Sequence, residues 1–399
     1  MTNPTGYLVT SYGYMITCEP RMSAYAAALR QAITPGCSVI DIGAGSGIFS
    51  LLACQYGAGS VIAIEPNDAI QLLPAAAAAN GFADKITVVQ GLSSDYDGPR
   101  ADVIISDLRG HLPLFEHHIP VIIDARQRLL APGGQLIPAR DRLHAALVHD
   151  PEFYRPCIEP WTHNAFGLDL SGGHRFAVND WRKTYFTPID LMSASQELLM
   201  LDYETITDPN ISVDFTLAAE APGDAHGFLV WFDAELAPGI GFSNSPGELE
   251  QVYGQTFFPF ERPVALADGD RIAVKLRANL IDGAYVWSWT SNVWRADAAS
   301  PELTYRQSTF LGRILAPDKL ATRSSRFVPP MSPAIEVDRH CLSLFDGKKS
   351  LGDIADALAA AFHGHFDSQI DALNHVTKLA GRYADGECQT IRLAEEEQV

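Results

Sequence analysis

The sequence predicts a parallel, doubly wound α/β sheet over about residues 35–145, an antiparallel β-sandwich or barrel to about residue 312, and a small helical unit. Three observations predict it. Short apolar runs alternate with helical stretches in the first part, the rhythm of a parallel sheet. Aromatic and β-branched runs separated by Pro and Gly fill 146–312. A loop holding Pro317, Pro329, Pro330 and Pro333 then precedes renewed helical periodicity over 338–384.

The elements follow in order. An amphipathic pattern over 20–34 predicts a helix opened by Pro20. Val39-Ile40-Asp41-Ile42 is a short apolar strand, a glycine turn follows, and 48–56 reads as the next helix. Val61-Ile62-Ala63-Ile64-Glu65 is a second strand. The alanine-rich stretch 69–80 is a helix stopped by Gly81. Ile86-Thr87-Val88-Val89 and Ala101-Asp102-Val103-Ile104-Ile105-Ser106 are the third and fourth strands. A helix over 119–130 is ended by Ala131-Pro132-Gly133-Gly134, and Leu136-Ile137-Pro138 begins a fifth strand. In the second part, Phe228-Leu229-Val230-Trp231-Phe232, Arg271-Ile272-Ala273-Val274-Lys275-Leu276 and Tyr285-Val286-Trp287-Ser288-Trp289 are strands. No internal repeat or low-complexity segment occurs, and Glu395-Glu396-Glu397 reads as a solvated acidic tail.

Length and composition bound the function. A chain of 399 residues with 47% hydrophobic and 19% charged residues is an ordinary globular protein of two or three domains. No apolar run reaches the roughly 18 residues a membrane helix needs. Met1-Thr2-Asn3-Pro4 has no basic region followed by an apolar core, so a soluble cytoplasmic protein without membrane association is expected. The six cysteines are scattered with no CxxC pair, which argues against structural zinc and against a disulfide framework. A net charge of −19 repels nucleic acid and favours a cationic substrate.

The first candidate site lies at the glycine turn. A turn between strand and helix aims backbone N–H groups at a negatively charged ligand. Gly43, Gly45 and Gly47 are spaced GxGxG, and Ile48 stands where a dinucleotide fingerprint requires glycine. Asp41, two residues before the first glycine, suits a ligand ammonium group. Glu65, ending the second strand, suits a pair of ribose hydroxyls.

These residues resemble the class I methyltransferases that bind S-adenosylmethionine, and the chain from about Tyr12 to Trp289 resembles the protein arginine N-methyltransferases. Gly167-Leu168-Asp169-Leu170 through Pro188 matches the family's dimerisation arm. Gly241-Phe242-Ser243-Asn244-Ser245-Pro246 and Gln255-Thr256-Phe257-Phe258 match stretches flanking its substrate loop. The resemblance implies a Rossmann-type domain with an N-terminal helix over 1–145 and a β-barrel substrate domain over 146–315, with a helical dimerisation arm at about 160–190. A linker over 316–337 and a C-terminal helical unit over 338–399 complete the expected organisation. It implies a homodimer, and S-adenosylmethionine as cofactor with S-adenosylhomocysteine as product. It also implies that Arg21, six residues after Met15, pairs with the cofactor's carboxylate, and that 91–94, ending in Ser94, borders the adenine.

The second candidate site is aimed at a guanidinium. That group is protonated and delocalised, with a pKa above about 12, so an enzyme must align one nitrogen and draw charge onto it. Carboxylates do both, because paired N–H···O⁻ bonds fix the planar fork. Asp107 follows the fourth strand and Glu116 comes nine residues later, at the two ends of a loop. This resembles the family's double-glutamate loop with the first acid one methylene shorter. A second departure is the family's Thr-His-Trp triplet, which is Gln251-Val252-Tyr253 here. The aspartate that normally pairs with the triplet's histidine is Cys18, so both members of the ion pair are replaced. Tyr253 is expected to supply an aromatic wall of a rebuilt pocket. His111, His117 and His118 read as exposed loop histidines, and no metal is expected.

Two acceptors compete. Free L-arginine, the substrate of bacterial relatives in natural-product biosynthesis, fits the altered triplet, with Arg109 the candidate to hold its carboxylate. An arginine-containing peptide is the rival. Residues 338–384 support it, because Leu351, Ile354, Ala355, Leu358 and Phe362 recur at helical spacing behind an N-cap at Ser350. That stretch resembles the winged-helix-like, leader-binding domains of the PqqD type. A catalytically degenerate binding scaffold is the reading from a different class.

Overall fold

The computed structural model describes residues 7–322, 324–332, 334–384 and 390–391. The acidic tail, the N-terminal tetrapeptide, Pro333 and Cys388 lie outside the described residues. Two units form: 1–314 with 388–399, and 315–387.

The first unit opens with α1 (Val9–Thr17) and α2 (Glu19–Ala32), the latter carrying Pro at its first turn. There follow β1 (Ser38–Ile42), α3 (Ile48–Gln55), β2 (Ser60–Ile64), α4 (Leu72–Ala79), β3 (Ile86–Val89), β4 (Ala101–Ser106), α5 (His118–Arg128) and β5 (Leu130–Ile137). The strands stand in the order β3-β2-β1-β4-β5, all parallel. β1 lies at the centre and is buried from Val39 to Ile42 because helices cover both faces. The order reverses at β1, so the carboxyl ends of β1, β2 and β4 open onto one crevice. That is where Asp41, Glu65 and Asp107 stand.

The second part comprises β6 (Arg140–Val148), α6 (Pro151–Ile158), α7 (Ser171–Ala177), β7 (Arg182–Thr184), β8 (Gln196–Asp202), β9 (Ile211–Ala218), β10 (Gly223–Ala237), β11 (Ile240–Ser243), β12 (Gln255–Leu266), β13 (Arg271–Ile281), β14 (Ala284–Trp294), β15 (Leu303–Ser308) and α8 (Thr309–Gly312). One sheet runs β7-β12-β10-β6-β8 with β11 beside β10, and the other runs β15-β14-β13-β9. Phe228, Phe258 and Trp289 pack between them, and the same core continues under the parallel sheet. Phe166, between α6 and α7, and Ile189, in the turn after β7, are 83% and 90% exposed.

Three expectations are corrected. The helix over 69–80 is a 3-10 turn, Asp68–Gln71, followed by α4; the side chain of Asn67 caps the turn and opens it separately. Ala131-Pro132-Gly133-Gly134 does not end a helix. It lies within β5, where a register shift against β4 accommodates it. The boundary expected after residue 145 falls inside β6, nine residues of which pair with β10, so the parallel domain ends at β5.

The second unit holds α9 (Pro317–Ala321), α10 (Ala334–Ser343), α11 (Leu351–Ala361) and α12 (Gln369–Tyr383). Helix α11 is opened by a reciprocal Ser350–Asp353 capping box. Val337, Cys341, Ile354, Leu358 and Val376 form its core. Its described residues form helices without a strand, and the expected extent of 338–399 is shifted: the unit begins at 315. The pair β16 (Thr390–Ile391) instead joins the parallel sheet, antiparallel to β3.

Candidate functional site

The first candidate site is built on the glycine turn. Gly43, Gly45 and Gly47 have φ of 72°, 55° and 85°, a left-handed backbone that other residues adopt only with strain. The turn is tied to β2 by the N–H groups of Gly43 and Ala44, which donate to the Ile64 carbonyl at 2.9 and 3.1 Å. A side chain on Gly45 would stand 2.6 Å from the Tyr12 ring, so the missing Cβ lets α1 roof the turn. Burial and the nearby Glu65 push the Tyr12 phenol up to about 12.

Asp41 is 1% exposed. Ser50 Oγ donates to its Oδ2 at 2.7 Å, while Oδ1 has no hydrogen-bond partner among the described residues. Burial pushes this carboxyl up to about 7, against the Ser50 bonds that favour the charged form. An unpaired buried carboxylate oxygen beside a glycine turn is the acceptor that a ligand ammonium group requires. Glu65 is buried too. Its Oε2 accepts the Gly45 N–H at 3.0 Å and its Oε1 the Asn67 N–H at 2.8 Å, leaving lone pairs for further donors. Ser94 sits on the turn after β3, exposed, with its hydroxyl donating to Asp95 at 3.1 Å; the buried serine there is Ser93.

The second candidate site is built around Asp107. Its Oδ2 accepts Arg21 Nε at 2.6 Å and the Tyr253 hydroxyl at 2.6 Å, and its Oδ1 faces Arg109 Nη1 at 3.3 Å. Burial alone would raise this carboxyl, but Arg21 and Arg109 outweigh it and hold Asp107 below the usual carboxylate range. Arg21, from α2, also donates through Nη1 to the Met15 carbonyl at 3.1 Å. Its guanidinium lies over the rings of Phe49 and Tyr25 at 5.0 and 5.4 Å. Glu116 is exposed at the far end of the loop, with a left-handed φ of 40°. Both Glu116 and Asp107 raise the phenol of Tyr7, after burial itself, so one residue ahead of α1 feels both carboxylates. Tyr253 is buried and stacks on Phe242 with centroids 5.6 Å apart.

The structure removes Arg109 from the role of substrate clasp. Its side chain has no exposure, and Nε and Nη2 both bind Asp141 while Nη1 binds the Tyr25 hydroxyl at 2.7 Å. A guanidinium this buried is stable only when paired inside the protein. His118 is a second correction: it is buried, not an exposed loop histidine, and binds the Tyr203 hydroxyl through Nε2 at 3.0 Å. Burial, with Arg109 nearby, lowers it to about 3. His111 is half-buried, and its Nδ1 meets the Tyr253 carbonyl at 3.0 Å. Among the described residues no three acidic, His or Cys groups are placed to hold a metal. The positions of the lost ion pair, Cys18 and Val252, line one open groove with Met15, Thr17 and Lys183. Sequence reasoning missed Asp141, Tyr203, Tyr12 and Tyr7. No motif marks them, because their roles arise from contacts as distant as the 62 positions between Asp141 and Tyr203.

Comparison with known proteins places this arrangement. Residues 139–282 match the family model of the arginine methyltransferase oligomerization subdomain, and residues 23–138 match that of ribosomal protein L11 methyltransferase. Protein arginine N-methyltransferase 1 of Dictyostelium discoideum is 28% identical over 267 residues, 65% of this chain and 78% of that protein. The arginine N(omega)-methyltransferase of Streptomyces achromogenes subsp. streptozoticus is 28% identical over 274 residues, 66% of this chain and 74% of that protein. Two solved structures share the fold. The Trypanosoma brucei PRMT1 enzyme–prozyme heterotetramer with AdoHcy superposes with a TM-score of 0.69 at 22% identity, covering 74% of this chain and 96% of that one. Arabidopsis thaliana protein arginine methyltransferase 10 gives 0.67 at 20% identity, covering 75% and 97%.

Proposed function

We propose that this chain is a member of the protein arginine N-methyltransferase family of S-adenosylmethionine-dependent enzymes and that it methylates the guanidino nitrogen of free L-arginine. The observation that carries the reading is the placement of an ammonium-ready Asp41 and a carboxylate loop, Asp107 to Glu116, at neighbouring ends of β1 and β4.

S-adenosylmethionine supplies a methyl carbon on a sulfonium and departs as the neutral thioether S-adenosylhomocysteine. Asp41 Oδ1 takes its ammonium group, Glu65 its ribose hydroxyls, Arg21 its carboxylate, and the loop to Ser94 borders its adenine; Gly43, Gly45 and Gly47 keep side chains out of the way. Glu116 and Asp107 hold the acceptor guanidinium by charge-assisted hydrogen bonds and orient one nitrogen towards the methyl group. As that nitrogen bonds to carbon and the carbon–sulfur bond breaks, the nitrogen's proton leaves to Glu116, which is exposed and passes it to water. Tyr253 walls the pocket.

Free arginine is favoured by the similarity to the Streptomyces arginine N(omega)-methyltransferase and by the apolar replacement at Cys18 and Val252. With Arg109 committed to Asp141, Lys183 in that groove is the cation for the amino acid's carboxylate. A cytoplasmic homodimer joined through the arm at 160–190, without nucleic acid or membrane, completes the reading. The described cysteines, all free, and the exposed Phe166 and Ile189 accord with it. No helix of the described residues is long and apolar enough to cross a membrane. Incubation with S-adenosylhomocysteine in a calorimeter tests the donor half: binding is expected, and its absence would refute it.

A further inference from the structure

We infer that the groove beside Tyr253 reads both charges of a free amino acid: Lys183 takes its carboxylate, and Glu250 with Gln251 takes its α-ammonium group. The inference rests on the free-arginine reading above and adds the second charge to it. The groove holds about 470 Å³ of space, within the roughly 300–1,000 Å³ of small-molecule sites. Cys18 and Val252 line it without charge, and its lining carries one cation, Lys183, and one anion, Glu250. Val252 precedes Tyr253, whose hydroxyl donates to Asp107 Oδ2 at 2.6 Å, so the groove adjoins the carboxylate loop.

Both charged residues stand on braced segments. Lys183 lies on β7, and its stem crosses Gly254, where an added side chain would stand 2.7 Å from Cε. Its Nζ donates to the Val252 carbonyl at 2.6 Å and lies 5.4 Å from the centre of the Tyr185 ring. An ammonium has three N–H donors, so two remain for a ligand carboxylate. The Tyr185 hydroxyl donates to the Gln251 carbonyl at 3.1 Å, which ties the segment carrying Glu250 to the end of β7. Gln251 is 4% exposed, and its Oε1 has no hydrogen-bond partner among the described residues. A buried acceptor without a partner is satisfied by a donor that arrives with the ligand. An ammonium group is such a donor, and the neighbouring Glu250 supplies the opposite charge. The peptide bonds on either side of an arginine residue carry neither charge, so the groove favours the free amino acid.

Calorimetry on the full chain, with S-adenosylhomocysteine present, tests this. L-arginine is compared with agmatine, which lacks the carboxylate, and δ-guanidinovalerate, which lacks the amine. L-arginine should bind about tenfold tighter than either. Lys183→Met should weaken L-arginine binding by about the same factor and leave agmatine binding no weaker. Glu250→Gln should weaken L-arginine severalfold and leave δ-guanidinovalerate within about twofold. Equal affinity of the wild type for all three ligands would overturn the inference while the free-arginine reading stood. So would a loss of agmatine binding in Lys183→Met, or of δ-guanidinovalerate binding in Glu250→Gln, as large as the loss for L-arginine. Should a variant fail to fold, the wild-type comparison decides alone. A wild type that methylates arginine peptides and does not bind L-arginine would refute the free-arginine reading itself, and the inference with it.

Discussion

Arg109 and Asp141 form a bidentate ion pair, Nε to Oδ2 and Nη2 to Oδ1, both 2.8 Å, with neither side chain exposed to solvent. The pair staples the carboxylate loop after β4 to the start of β6, and so the second candidate site to the antiparallel part. Tyr203 donates its hydroxyl to the same Asp141, and His118 meets Tyr203, which extends the staple to the start of α5. Replacing one member leaves the other buried and uncompensated, at a cost of about 3–5 kcal/mol. Asp141→Ala should lower unfolding stability by that amount in urea. Arg109→Met together with Asp141→Leu should recover most of it. Equal stability of the single variant and the wild type would contradict the staple.

On the proposed reading, Asp41 should make donor binding pH-dependent. Its folded carboxyl titrates at about 7, above the ordinary carboxylate range, because burial disfavours the charge. The unliganded fold therefore keeps a proton that the unfolded chain releases. This group's contribution to stability is present at low pH and is lost as pH rises towards about 7. A bound ammonium needs the ionised form, so S-adenosylhomocysteine affinity should rise with pH up to about 7 and then level. Asp41→Asn should bind weakly and lose that rise. A wild-type affinity that falls over the same range would refute the role.

On the proposed reading, in which Glu116 serves the acceptor alone, Glu116→Gln should abolish methyl transfer while S-adenosylhomocysteine binding survives. A loss of 10²-fold or more is expected where positioning and proton acceptance disappear together. Retained activity, or simultaneous loss of nucleoside binding, would contradict the assignment.

Phe166 and Ile189 are largely exposed in the arm region. On the proposed reading they lie in the surface through which two copies pair. Sedimentation should show a dimer at micromolar concentration, and Phe166→Glu with Ile189→Lys should shift it to monomer. A wild-type monomer would count against the arm's role.

The parallel sheet was legible because each strand is a short apolar run between turns, and Ile86–Val89 and Ala101–Ser106 match their sequence bounds. The glycine turn was legible because its positive φ values leave a spacing in sequence. The segment Ala131 to Gly134 was not, since two glycines and a proline read as a breaker while a register shift absorbs them in β5. Arg109 was read as a clasp for a substrate carboxylate for a related reason: a lone arginine in a loop gives no sign of its partner. Only the fold brings Asp141, 32 positions away, against it. The pairing of Asp107 with Arg21 likewise spans 86 positions, and no local pattern announces it.

The central claim is methyl transfer to a guanidine, and mass spectrometry tests it most directly. The protein is incubated with S-adenosylmethionine and either L-arginine or arginine-containing peptides. The account predicts methyl groups on the guanidino nitrogen of free arginine, with peptides methylated poorly. S-adenosylhomocysteine binding without methyl transfer to any guanidine would contradict it and leave a donor-binding scaffold in its place.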